Sequence, residues 1–177
     1  MKRVKEIAYC GILVVLALAL SFMEQFIPLQ AFIPLPGIKL GLANLVTLVA
    51  LYLFKPKYAF AILIPRCLLG AVFGSGITGL LFSLSGGLLS LCVMAFAKKA
   101  PLLSICGVSV LGAAVHNIGQ IFAAMVLMHS IYIGAYLPYL LGISVLTGLL
   151  TGVLCGGILK VLPTATLPAH MKKEAAQ

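Results

Sequence analysis

Aspartate is absent from the 177-residue sequence, and glutamate occurs only at Glu6, Glu24 and Glu174. EF-hand loops, Walker-B sites, aspartyl-phosphate catalysis, Asp-based triads and aspartate-rich magnesium sites all need a carboxylate that this chain does not carry. Charge of either sign is scarce, at 8% of residues against about 25% in soluble domains. Walker A, GxGxxG and HExxH strings are missing too, so the chain has no P-loop of its own for hydrolysing ATP. The five cysteines (Cys10, Cys67, Cys92, Cys106 and Cys155) are odd in number and form no CxxC pair. That excludes a complete disulfide framework and leaves no spaced metal ligands. We read these thiols as buried small hydrophobes and expect no cofactor.

What is present is apolar: 63% of the residues are hydrophobic. A soluble fold of this size cannot hide so much apolar surface, so the expected solvent is lipid. Six continuous apolar runs stand out, at Ile7–Ile27, Ile38–Phe54, Tyr58–Phe73, Gly79–Ala97, Leu102–Met128 and Leu137–Val161. Crossing the hydrocarbon takes about 20 such residues, and barrel strands would alternate rather than run on. The expected architecture is therefore all-α: a polytopic integral membrane protein, residues 1–177 forming one domain with six transmembrane helices. The third run is short for a full crossing, which predicts a tilt, a kink or a partial re-entry. The tail Pro163–Gln177 is polar and reads as frayed.

The net charge of +9 sits in short basic runs between the apolar stretches, a pattern that fits anionic lipid rather than nucleic acid. Lys2, Arg3 and Lys5 precede the first run. Lys55 and Lys57 lie between the second and third, and Lys98 and Lys99 between the fourth and fifth. Lys160, Lys172 and Lys173 end the chain. Placing both termini in the cytoplasm puts ten of the twelve basic residues inside. The basic start, apolar run and Ala17-Leu18-Ala19 also resemble a signal peptide with a cleavage site. The apolar run continues past that point, which favours a retained helix.

Lys39 and Arg66 remain after this count. Intramembrane charge is costly and usually faces a site or a partner. Arg66 lies halfway along the third run, behind Pro65, which frees a backbone carbonyl. It reads as a ligand contact, or as a structural Arg held by carbonyls or Glu24. Lys39 is a second ligand contact, or it snorkels to the headgroups. Glu24 reads as structural. On the fifth run, His116 and Gln120 lie 40° apart and Asn117 lies 60° from Gln120, so all three face one sector. They suit a ligand, or they hold helices together. Asn44 joins this set below Lys39. Gly41, Asn44 and Thr47 form one stripe of small or polar residues, Gly79, Ser83, Gly87 and Ser90 a second, and Gly148, Gly152 and Gly156 a third; packing is their default reading. Tyr132, Tyr136 and Tyr139 suit an interfacial belt. Lys39, Asn44, Arg66, His116, Asn117 and Gln120 together describe an outward or mid-membrane cavity of positive character, fitted to an anionic or strongly polar ligand.

The strings Pro36-Gly37-Ile38-Lys39-Leu40-Gly41-Leu42-Ala43-Asn44, then Arg66, then Ser83-Leu84-Ser85-Gly86-Gly87, then His116-Asn117-Ile118-Gly119-Gln120 occur in this order. With them the chain resembles the bacterial membrane family called heptaprenyl diphosphate synthase component I, or Gx transporter. The resemblance covers nearly the whole chain and extends to the S components of energy-coupling-factor transporters. Those are six-helix proteins that bind a vitamin or related solute and work with a membrane coupling subunit and two ATPases. The resemblance implies a solute-binding subunit of the bacterial cytoplasmic membrane, toppling to release a vitamin-, quinone- or isoprenoid-related ligand. S components often carry an AxxxA motif on their first helix; here the nearest match is Ala17-x-x-x-Ser21. The alternative it implies is a non-catalytic accessory subunit of polyprenyl diphosphate synthesis or of flavin- or quinone-linked electron transfer. The synthase name itself sits badly with a chain that has no aspartate. A stand-alone proton-coupled carrier is a third reading, with His116 as its titrating group.

Overall fold

The structure is a computed structural model, and it describes residues 2–26, 42–54 and 56–161. Within these residues all regular structure is helical. In chain order the helices are α1 (Lys2–Met23), α2 (Asn44–Leu53), α3 (Pro56–Gly70), α4 (Gly76–Ala97), α5 (Ile105–Met128) and α6 (Leu137–Val161). One-turn elements follow α1 (Glu24–Phe26), follow α3 (Ala71–Ser75) and precede α6 (Ile131–Tyr136). Four segments are long and apolar enough to cross a membrane: Pro56–Gly74, Gly76–Ala97, Ile105–Met128 and Ile131–Val161. The apolar stretch Ile7–Met23 and α2 are shorter. Large apolar side chains lie exposed along the outside, among them Ile12, Val72, Phe96, Phe122 and Leu146. That outer face is what a bilayer solvates.

The second run departs from its expected span. The helix opens at Asn44 rather than Ile38; Leu42 and Ala43 form a turn, and residues 27–41 lie outside the described set. Ten residues rise only about 15 Å, so α2 is the half-length element. α3 runs through Pro65 and reaches α4 by a wide π-type turn, where non-helical backbone at Gly74 makes a kink such as the short third run predicts. Gly74 there takes φ 146° and Gly76 φ 62°, backbone that glycine alone adopts easily. α5 starts at Ile105, three residues later than its apolar run, because the Ser104 hydroxyl caps it by accepting from the Gly107 amide at 3.2 Å. The polar tail lies in 162–177, outside the described residues.

The basic residues gather at one end. The Lys98 ammonium donates to the Leu51 carbonyl at 3.1 Å, one of the carbonyls left over at the end of α2. It also lies 5.1 Å from the centre of the Tyr52 ring. An apolar groove of about 240 Å³ lined by Tyr9, Leu53, Phe54 and Ile158 joins the start of α1 and the end of α6 to that end. Lys57, Lys98, Lys99 and Lys160 therefore share it.

Glycine sets how closely α4, α5 and α6 pack. A Cβ on Gly119 of α5 would fall 2.8 Å from the Gly86 Cα of α4. One on Gly148 would fall 2.6 Å from the Val110 Cα, and one on Gly152 2.7 Å from the Cys106 Cα. The small-residue stripe of α6 thus packs at two of its three glycines; nothing lies within 4 Å of a Cβ on Gly156. Among the cysteines, Cys67 and Cys155 are buried as expected, whereas Cys92 is exposed on the outer face.

Gly119→Ala should destabilise by about 1–3 kcal/mol, because its neighbour is backbone and cannot yield. Gly142→Ala, with no atom within 4 Å of the added Cβ, should instead be neutral or gain up to about 1 kcal/mol of helix preference. Thermal unfolding of the two detergent-solubilised variants checks the pair; equal midpoints would contradict this packing.

Candidate functional site

A helix that begins inside a bundle exposes backbone amides where no water reaches them. At α2 the polar side chains collect around that beginning. Glu24, the first residue after α1 and only 3% exposed, accepts the Leu42 amide proton on its Oε1. A carboxylate at this position also faces the positive end of the helix dipole. The structural reading of Glu24 thus has a concrete form: it ties the end of α1 to the start of α2.

Arg66 reaches the same place from α3. It stands about 15 Å along that helix from Pro56, so it lies at mid-depth, and it is 6% exposed. Its Nη2 donates to Asn44 Oδ1 at 3.2 Å, so its described acceptor is a neutral amide oxygen. Gly87 of α4 makes room beside it: a Cβ there would lie 2.8 Å from Leu63 Cδ1 and 3.6 Å from Arg66 Nη2. Thr47, read from the sequence as packing, is fully buried one turn further along α2. Asn44 Nδ2, Thr47 Oγ1 and Arg66 Nε have no hydrogen-bond partner among the described residues.

The second group is on α5. His116, Asn117 and Gln120 are all buried, as their 100° helical spacing predicts. Gln120 Nε2 and His116 Nε2 are 2.6 Å apart. Asn117 Nδ2 donates to the Leu140 carbonyl of α6 at 3.0 Å. Asn117 thus joins two helices through its Nδ2, while its Oδ1 has no hydrogen-bond partner among the described residues. His116 packs on α4 at Gly86, where a Cβ would fall 2.6 Å from the His116 carbonyl oxygen and 2.9 Å from its Nδ1. Consecutive glycines of α4 thus face the two groups, Gly86 toward His116 and Gly87 toward Arg66. Lys39, the remaining candidate, lies outside the described residues.

Below the histidine, Ser109 and Thr151 hydroxyls are 2.7 Å apart, and the Ser90 hydroxyl donates to the Gly112 carbonyl at 2.8 Å. These link α4, α5 and α6 and read as structural. The groove of about 240 Å³ is a different place. Its α2 wall is Leu45, Val46, Val49 and Leu53, on the face of α2 opposite Asn44 and Thr47 at 100° per residue. A second apolar groove, about 390 Å³, lies between α1 and the end of α3. Of the three tyrosines read as an interfacial belt, Tyr132 and Tyr139 are exposed beside the start of α6, whereas Tyr136 is partly buried against the cluster that holds Phe82, Ile121 and Leu140.

A family model described as heptaprenyl diphosphate synthase component I matches residues 13–158. That range holds every candidate residue named above. No curated protein and no solved structure matches the chain.

A buried guanidinium that meets a neutral acceptor costs stability, and an apolar replacement of similar volume removes that cost. Arg66→Met should therefore leave the ligand-free protein as stable as the wild type or up to about 4 kcal/mol more stable. Thermal unfolding in detergent measures this; a clear loss of stability would assign Arg66 to the framework.

Proposed function

The chain belongs to the heptaprenyl diphosphate synthase component I family, and on that premise we propose that it is a non-catalytic, membrane-embedded solute-binding subunit. One observation carries this reading: Arg66, Asn44, His116, Asn117 and Gln120 are all buried, deep in an apolar helical bundle. Ionisable and polar groups at such depth are expensive, and binding is the usual return on them. Arg66 and Lys39 neutralise the negative group of the ligand. Asn44, His116, Asn117 and Gln120 orient its polar edge. The ligand is a small anionic or polar molecule related to a vitamin, a quinone or an isoprenoid.

In this reading the chain makes six crossings of the bacterial cytoplasmic membrane with both termini inside. The gathering of Lys57, Lys98, Lys99 and Lys160 at one end supports that orientation. α1 rises about 33 Å over its 22 residues, enough for one of those crossings. Energy for transport comes from partners of the energy-coupling-factor kind, a membrane coupling subunit with two ATPases, because the chain carries no nucleotide motif.

A second reading is favoured by the family's description, which names one component of a synthase. There the chain is an accessory subunit that holds a substrate or partner enzyme of polyprenyl diphosphate synthesis at the membrane. Without aspartate it does not supply the magnesium diphosphate site itself.

Native mass spectrometry of the purified protein should detect a retained small molecule. Arg66→Ala and Lys39→Ala should lower its occupancy and its uptake into cells by about tenfold or more, the loss expected for a buried charged hydrogen bond. Unchanged affinity and uptake in both variants would sink the site assignment. Affinity purification from native membranes separates the two readings: co-purifying ATPases support transport, and a soluble prenyltransferase supports the accessory role.

A further inference from the structure

We propose that the start of α2, with Asn44, Thr47 and Arg66, is an oxyanion subsite that takes a carboxylate or phosphate group. The proposal rests on the solute-binding reading and deepens it, naming the chemistry of the group that is bound and adding Thr47 to the residues that bind it.

The first observation is the helix itself. α2 has ten residues, and its first residue, Asn44, is 7% exposed. A helix start carries a partial positive charge and outward-pointing amides. Half-length helices that begin near the midplane present this end to anionic substrate groups. The Glu24 carboxylate already takes the Leu42 amide just before the helix, so a ligand anion has to be held against that charge by donors from side chains.

The second observation is independent of the helix dipole. Asn44 Nδ2, Thr47 Oγ1 and Arg66 Nε are buried and have no partner among the described residues. All three donate protons. Two of them are neighbours, because Arg66 Nη2 binds Asn44 Oδ1 at 3.2 Å, and Thr47 sits 60° from Asn44, one turn along the same edge of α2. That bond uses the acceptor half of the Asn44 amide and leaves the donor half for something else. A cluster of donors that includes a guanidinium is matched by a group with several acceptor oxygens and a negative charge. The planar guanidinium selects carboxylate or phosphate over a halide or a single phenolate oxygen. The apolar groove lies on the opposite face of α2, so this subsite grips the polar end of the ligand and not its hydrocarbon.

The experiment uses the full-length protein in detergent with inorganic phosphate and with acetate, against sodium chloride at matched ionic strength. Either anion should raise the unfolding midpoint in a saturable way, as a ligand of the folded state does, while chloride does not. Which of the two acts tells phosphate from carboxylate. Thr47→Val and Arg66→Gln should weaken the apparent affinity by about tenfold or more, and Thr47→Ser should restore it. If Val or Gln variants fail to fold, Arg66→Lys against Thr47→Ser replaces them; the first should lose binding and the second keep it. Equal shifts in chloride, or variants that respond like the wild type, would overturn the subsite.

The outcomes also tell the two proposals apart. A neutral solute retained by the wild type and lost in Arg66→Gln, with no response to phosphate or acetate, overturns the oxyanion subsite and leaves solute binding standing. An anion response lost in the variants, with no solute ever retained, supports the subsite and counts against the solute-binding reading.

Discussion

A helix that starts in the middle of an apolar bundle must find partners for its first amides and its polar side chains, and that need organises this molecule. α2 rises only about half the thickness of the hydrocarbon. Its first residue, Asn44, is only 7% exposed. Glu24 comes from α1 and takes the Leu42 amide; Arg66 comes from α3 and takes the Asn44 oxygen. Two costly groups are thus held at one helix end, with Lys98 on the carbonyls at the other. The Glu24 and Lys98 contacts respect the helix dipole, with the carboxylate at its positive end and the ammonium at its negative end, whereas the Arg66 guanidinium lies at the positive end against it.

The rest of the interior is shaped by how closely backbones approach. In lipid, helices gain nothing from hiding apolar surface from each other, so contact depends on fit and on hydrogen bonds. Gly86 and Gly119 let α4 and α5 touch backbone to backbone, and Gly148 and Gly152 do the same for α5 and α6. This closeness places the His116 ring against α4 and lets Asn117 reach the Leu140 carbonyl. Gly86 and Gly87 are adjacent in sequence yet face different neighbours, so a single helix sets the position of both polar groups.

The helices, their order and the buried face of α5 were legible in the sequence, because apolar run length and a 100° turn per residue carry that information locally. The start of α2 was not. Ile38–Phe54 is apolar throughout, and what fixes the first turn is a carboxylate eighteen residues away. The Arg66–Asn44 bond spans twenty-two residues and leaves no mark in either local pattern. Thr47 looked like packing since a threonine on an apolar helix usually is. Only the fold shows its hydroxyl buried without a hydrogen-bond partner among the described residues. Gly86 and Gly119 were hidden for a related reason: glycine is common in membrane helices, and only the tertiary contact tells a glycine under a helix from one facing lipid. Gly156 continues the α6 stripe in sequence and meets nothing in the fold.

The solute-binding reading sets stability against binding at Arg66. Its charge is buried against a neutral amide, an arrangement that an apolar side chain would better. A protein under no demand but folding gains nothing from a guanidinium at this depth. A group that brought negative charge to it would reverse the balance where its attraction to the guanidinium exceeds the cost of its own desolvation, the cost for Arg66 being already met in the folded state. In a medium of low dielectric one preorganised cation and a helix end act with a strength that many exposed charges in water do not reach.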